Sequence, residues 1–395
     1  KIADESFRQA QRNFLPGISA STNGGYSFGR SIDPITNGVV NTQFFNNSYN
    51  LGASMTLFSG FRLVNQLEYQ KYMKRAAELN RLNAIDNLAF QVMNYYFDVL
   101  YFQGILEIAE KQVEASGLNL KKVERQVDLG MKSNTDLLEM RANYETEELK
   151  RIQAKNNLIT AVLQLKQGMN LTDTSKMVLL DEETAVKSLL PPDQQNLFSS
   201  YLEWSPYYQS FQSQLKASRK SLSVSRSQLY PSISLNGSVN TGYSGTNRSN
   251  SNVVVAFRDQ FNSNLSQYVG ASLNIPIFNK WSRQSDIKKA KLEVLQSQNT
   301  LDEEKQKLYF EMVNNLNELQ ALENEYIQYL KQLEADNSAF QASEKKLAQG
   351  VVSIVEFYIA KNRLANTESQ VIKARLQWEV KKRVLDFYSG KRFWE

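Results

Sequence analysis

The sequence predicts an α+β membrane protein. Four β-strands per chain contribute to a closed barrel, and long coiled-coil helices continue from it. Three observations lead there: the chain repeats itself with a period near 220 residues, two stretches are nearly free of charge and alternate with period two, and two others carry long heptad series.

The repeat organises everything else. Leu15-Pro16-Gly17-Ile18-Ser19 resembles Tyr230-Pro231-Ser232-Ile233-Ser234, and Leu51-Gly52-Ala53-Ser54 resembles Val269-Gly270-Ala271-Ser272. From about residue 60 to 168 the offset holds at 220, with identical pairs Lys71/Lys291, Leu88/Leu308, Asn94/Asn314, Gly130/Gly350, Ser133/Ser353, Ile152/Ile372 and Leu165/Leu385. The chain therefore divides into a first β-β-α-α unit (1–168), an irregular equatorial segment (169–197, entered after Gly168 and holding Asn170 and Pro191-Pro192), a second unit (198–388) and a tail (389–395).

Each unit opens with two strands, expected at about 16–29 and 46–58, and at 231–243 and 264–277. Ile18, Ala20 and Thr22 alternate with Ser19, Ser21 and Asn23; Tyr49, Leu51, Ala53 and Met55 with Asn50, Gly52 and Ser54; Val269, Ala271 and Leu273 with Gly270 and Ser272. Alternation alone also fits a soluble sandwich. Charge decides against it. Residues 15–60 and 230–279 hold 5 charged residues in 96, while the other 299 positions hold 82. Those five, Arg30, Asp33, Arg248, Arg258 and Asp259, fall between strands. A wet sheet carries Lys and Glu on its face and edges; this one is built for lipid. Aromatics near the strand ends, Tyr26, Phe28, Phe58, Phe61, Tyr230, Tyr243, Phe278 and Trp281, are candidate membrane-interface residues. Four strands close no barrel. Two copies give eight, which side chains fill, and three give twelve, which leave a lumen.

A long helix follows each strand pair, at about 61–129 and 281–349. Leu88, Val92, Tyr95, Val99, Phe102, Leu106, Ala109, Val113, Ser116, Leu120, Val123 and Val127 repeat with 4-3 spacing, Ser116 alone being polar. The second series, from Leu308 to Leu347, is interrupted by Asn315, Asp336 and Ser343. Sixty-nine residues span about 100 Å at the α-helical rise. A cytosolic rod is the alternative, made untenable by a membrane sheet in the same unit. Both helices end at a glycine and restart three residues later, in Gly130-Met131-Lys132-Ser133-Asn134-Thr135-Asp136 and Gly350-Val351-Val352-Ser353-Ile354-Val355-Glu356. Glycine suits the left-handed position after a helix end, and Ser-x-x-Asp/Glu is a capping box. The return helices, 133–168 and 353–388, are half as long, and a helix at 198–229 completes the match. Its counterpart before Pro16 has 15 residues instead of 32, so about 17 more are expected upstream of Lys1.

Composition narrows the function. With 46 Lys+Arg against 41 Asp+Glu, the net charge of +5 is too small and dispersed for a nucleic-acid binder. The absence of His and Cys removes thiolate nucleophiles, disulfides, the commonest metal ligands and the commonest general base. No Walker A motif and no glycine-rich dinucleotide loop is present, so no cofactor is expected and the chain does not read as an enzyme. A hydrolase built on carboxylates and a soluble coiled-coil scaffold are the competing readings.

The duplicated strand–strand–helix–turn–helix unit, the paired Gly-x-x-Ser-x-x-Asp/Glu turns and the proline-led strands resemble the TolC-like outer-membrane efflux proteins. The resemblance covers about residues 3–390. It implies a homotrimer whose 12-stranded barrel sits in outer-membrane lipid and continues as a helical tunnel into the periplasm. It also implies a periplasmic adaptor (membrane fusion) protein docked at the tip and, through it, an inner-membrane pump. Gly130, Ser133, Gly350 and Ser353 would then mark the docking tip. Glu356, with Asp136 in the first hairpin, would line a constriction. The family's second acidic position falls on Ile359 and its gating arginine on Val352, so both are missing from this chain.

Overall fold

The computed structural model describes residues 1–32, 37–41, 43–172, 179, 186, 193–249, 251, 253–392 and 394. Two compact units emerge, and each takes part of both repeats: Lys1–Leu79 with Tyr208–Glu303, and Asn80–Tyr207 with Glu304–Glu395.

The first unit holds the sheet. Helix α1 (Ile2–Arg12) precedes β1 (Gly17–Ser27), a short hairpin β2 (Arg30–Ile32) and β3 (Val39–Asn41) follows, and β4 (Phe44–Ser59) returns antiparallel to β1. From the second repeat come β5 (Ser232–Ser244), helix α6 (Phe257–Ser263) and β6 (Ser266–Asn274). The sheet order is β1-β4-β5-β6, antiparallel throughout, so the repeats join where β4 pairs β5. The stretches expected as loops thus contain a hairpin and a helix. The last strand stops at Asn274 rather than 277, where Pro276, lacking an N–H, can no longer donate to a ladder.

Between strand and helix the chain turns sharply. Gly60 and Phe61 both take positive φ (61° and 63°), and so do their repeat counterparts Lys280 and Trp281 (55° and 63°). Two helices of 67 residues follow, α2 (Arg62–Asp128) and α7 (Ser282–Ala348). In the first unit α1 packs on α2 through the Asp4–Lys74 ion pair at 2.6 Å, and Ser218 of α5 (Pro206–Ser227) meets Ser297 of α7 at 2.7 Å. The single helix expected over 198–229 is two, α4 (Gln194–Trp204) and α5, because Pro206 cannot donate back into the preceding turn and starts its own helix instead.

In the second unit the heptad series packs from Val92 onward, every position to Val127 being buried or half-buried, whereas Leu88, where the series begins in the sequence, is exposed. The return helices are α3 (Asn134–Gly168) and α8 (Ile354–Tyr388). Val99 packs with Ala161 and Leu165, and Met93, Phe97 and Leu100 pack with Leu376, so α2 touches both return helices. Most of 169–197, Pro191-Pro192 included, lies outside the described residues, but Leu179 packs on both clusters. The tail packs too: Trp394 lies 5.7 Å from Phe387, ring to ring.

Candidate functional site

Side chains directly opposite in a ladder share a face, so the register sorts the sheet. One face carries the rows Ile18–Ala53–Gly237–Val269 and Ala20–Leu51–Val239. The other carries Ser21–Asn50–Asn240–Ser266 and Thr56–Ser234–Ser272. Hydrogen bonds knit the polar face: Asn50 donates to Asn240, Ser234 meets Ser272 at 2.7 Å, and Asn236 donates to Ser272 at 3.2 Å. Leu51, Leu235, Val239, Val269 and Leu273 on the other face are exposed. A bare apolar face this broad needs an apolar surrounding. Among the described residues no helix is long and apolar enough to cross a membrane.

The aromatic residues form a string at the sheet end opposite the starts of α2 and α7, where α6 lies. Tyr26 packs on Phe45 (5.1 Å between centroids), Phe45 on Tyr243 (6.4 Å), Tyr243 on Phe257 (5.7 Å), and Tyr49 edge-on against Phe261 (5.6 Å). Phe28 joins at Tyr26. At the helix end Phe58 meets Phe61 edge-on at 5.4 Å, Tyr230 lies against Gly60, and Phe278 and Trp281 stand exposed. Sequence reasoning missed Phe45, Tyr49, Phe257 and Phe261. The first two share the parity of Leu51 and were legible; the other two sit among loop charges.

The hairpin turns are built alike. After α2 the Met131 N–H reaches the Gln126 carbonyl (2.8 Å) and the Gly130 N–H that of Val127 (2.9 Å); after α7 Val351 reaches Lys346 and Gly350 reaches Leu347. This pair of bonds is the Schellman motif, and it requires the positive φ seen at Gly130 (67°) and Gly350 (74°). Reciprocal capping boxes follow: the Asp136 N–H donates to Ser133 Oγ (3.1 Å) and the Glu356 N–H to Ser353 Oγ (3.2 Å), while each carboxylate accepts from the serine N–H. Asp136 and Glu356 thus each cap their own helix. Next to the turns the two hairpins are joined by apolar contacts: Val123 and Met140 pack with Ile354, Phe357 and Tyr358. Leu129, Met131, Val351, Val355 and Ile359 are left exposed around this core.

The interruptions in the heptads have partners. Ser116 and Asp336 occupy the same place in the two repeats, 220 residues apart, and both are buried. Asp336 pairs with Arg363 at 2.7 Å and accepts from Thr367 at 2.8 Å. Lys361, 1% exposed, donates to Ser116 Oγ and to the Gln112 carbonyl (2.9 Å), with its ammonium 5.3 Å from the Tyr358 ring. Helix α8 is therefore tied to both long helices by one polar layer. Burial pushes the Lys361 ammonium down to about 8, and the nearby Lys150 adds to this while the Glu147 carboxylate opposes it. An unfolded chain keeps that proton up to its ordinary value of 10.5, so between about pH 8 and 10.5 the unfolded state binds more protons and stability rises with pH. Lys361→Met is expected to remove this component of the rise, measured as the melting temperature of the purified protein across that window.

A four-stranded sheet with one bare apolar face and duplicated coiled-coil hairpins in one chain define an outer-membrane channel fold. The chain belongs to the outer membrane efflux protein family, whose model matches residues 1–171 and 197–391. It is 24% identical over 298 residues to the outer membrane protein TolC of Escherichia coli, covering 72% of this chain and 57% of that one. It is 22% identical over 297 residues to TolC of Vibrio cholerae, covering 73% and 66%. The matched chain thus spans less than two thirds of these relatives' length. Alkaline protease secretion protein AprF of Pseudomonas aeruginosa matches at 20% over 311 residues, 77% of this chain and 61% of that one. Among solved structures, CusC superposes with a TM-score of 0.80 at 20% identity, covering 98% of this chain and 86% of that one. VceC of Vibrio cholerae gives 0.79 at 11%, covering 99% and 90%. The chain is thus an outer-membrane protein by family, and the solved channels share its fold.

Proposed function

We propose that three copies of this chain form the exit duct of a tripartite efflux or type I secretion system, conducting substrate passively across periplasm and outer membrane. The observation that carries this is the sheet. Among the described residues β1 and β6 each pair on one side only, and an unpaired edge in lipid costs several kcal/mol per group. Pairing β1 of one copy with β6 of the next satisfies both edges, and three copies make a twelve-stranded ring with the serine and asparagine face turned to a lumen. Relatives named for secretion and for efflux favour this class. The exposed apolar residues around Gly130, Ser133, Gly350 and Ser353 fit docking of a periplasmic adaptor, which links the duct to an inner-membrane pump supplying the energy. Single cysteines on the outer edges of β1 and β6 are expected to crosslink copies into trimers and no further; dimers or open ladders overturn the assembly.

Glu356 and Asp136 are the proposed constriction. Three Glu356 carboxylates facing one another would hold cations in the bore, and the tip opens as the hairpins untwist. The capping box allows a clean separation of roles. Glu356→Gln keeps a side chain that can accept from the Ser353 N–H but removes the charge; Glu356→Ala removes both, leaving the Ser353 side-chain cap in place and costing about 0.5–1.5 kcal/mol for the one hydrogen bond lost. Both variants are expected to weaken divalent-cation block in a planar bilayer, and only Glu356→Ala to lower stability. Unchanged block in both sinks the constriction.

A further inference from the structure

Helix α6 lies on the apolar face of the sheet, not the polar one. Thr241, in the same alternating row as Val239, donates to the Phe261 carbonyl at 2.6 Å, and Asn264 donates to the Gly242 carbonyl at 2.8 Å. Gln260 is fully buried and holds the helix like a fifth strand: it accepts from the Ser244 N–H (3.0 Å) and donates to the carbonyls of Ser244 (3.0 Å) and Val255 (2.8 Å). These bonds fall where β5 has outrun β6, whose pairing ends at Asn240–Ser266. The anchored helix is two-sided. Phe257 and Phe261, four apart, point their exposed rings along the sheet's apolar side, while Arg258, Asp259 and Asn262 are exposed and polar. Beneath it a cavity of about 390 Å³ is lined by Ala20, Thr22, Leu51, Val239, Phe261 and Leu265.

We propose that α6 is a membrane-interface anchor whose partner is lipid: its phenyl rings and Leu265 sit at the acyl–head-group boundary of the outer leaflet, and an acyl chain fills the cavity under it. Continuity selects this occupant. The cavity opens onto the same face whose leucines and valines meet lipid, and α6 sits at the sheet end opposite the periplasmic helices. Aromatic rings with a polar opposite side are the composition that interface favours. The inference rests on the barrel reading of the sheet.

The chain contains no cysteine, so a single introduced thiol reports alone. Spin labels at Phe257→Cys, Phe261→Cys and Leu265→Cys are to be compared with labels at Leu51→Cys and Arg258→Cys. All are measured in full-length protein in vesicles of lipopolysaccharide and phosphatidylethanolamine. The expected result is an oxygen-to-nickel collision ratio at the first three positions between the two references, clearly above Arg258 and below the mid-strand Leu51. Ratios equal to that at Arg258 place α6 in water and overturn the proposal. Shielding from both reagents means that another protein segment covers the helix, and overturns it too. A nickel-accessible label at Leu51 instead overturns the barrel reading itself. Leu265 lies outside the helix and its anchoring bonds, so it reports even where a label on the phenylalanines disturbs the turn.

Discussion

Replacing Gly60 by alanine is expected to be among the most damaging small substitutions in this chain. A Cβ there would lie 2.5 Å from the Ser227 carbonyl oxygen and 2.6 Å from Tyr230 Cβ, and the residue has φ 61°. The neighbours are backbone and the root of a side chain, so neither can swing away. The left-handed φ alone is not decisive, since the repeat counterpart Lys280 adopts 55° with a full side chain. Proximity sets Gly60 apart: here the turn from β4 into α2 lies against the exit of α5 into β5. Overpacking and backbone strain each cost about 1–3 kcal/mol, and here they act together. Three glycines grade the causes. At Gly25 an added Cβ meets nothing within 4 Å at ordinary φ, at Gly350 it meets nothing but φ is 74°, and at Gly60 both penalties apply. Melting temperatures of the three alanine variants are expected to fall in that order. Equal stability of Gly60→Ala and Gly25→Ala would show that the strand–helix turn is not packed as described.

Phe357→Ala is the second large effect. Phe357 is 1% exposed in the core that joins the hairpins, 5.7 Å from the Phe340 ring and 5.5 Å from that of Tyr358. Removing a buried phenyl costs about 3–5 kcal/mol, through lost transfer energy and the cavity left behind. The Schellman turns and capping boxes are each internal to one hairpin, so near the turns the loss falls on the contact between hairpins, with the Lys361 link to Ser116 and Gln112 further along left in place. Faster amide exchange in α3 and α8 near the turns is expected, with a more open channel in planar bilayers. Val355→Ala, two residues away and 57% exposed, serves as the control, with a change within about 0.5 kcal/mol. A Phe357→Ala protein with unchanged exchange would mean that the tips are held by something other than this core.

Much of this architecture was legible because it is periodic or local. Heptads, alternating strands and Gly-x-x-Ser turns each declare themselves within a few residues, and the duplication lets one half check the other. What stayed hidden depends on distant partners. Helix α6 has seven residues, too few for a period, and owes its place to Gln260 reaching Ser244, 16 residues back. Ser116 and Asp336 were visible as breaks in the heptads, but Lys361, which explains the first, lies 245 residues away. Pro206 did announce the break between α4 and α5, and only helix-compatible neighbours on both sides obscured it.

The sequence by itself determined the repeat, the types of the four long strands and the long helices, the apolar parity of the strands and the family resemblance. These follow from spacing and composition, which act along the chain. The tertiary structure decided which strands are neighbours, that β4 meets β5 across the repeat boundary, that the acidic tip residues cap their own helices, and that a buried lysine ties α8 to α2. Those outcomes turn on which groups meet when distant segments pack, and burial makes each unsatisfied polar group costly enough to choose its partner.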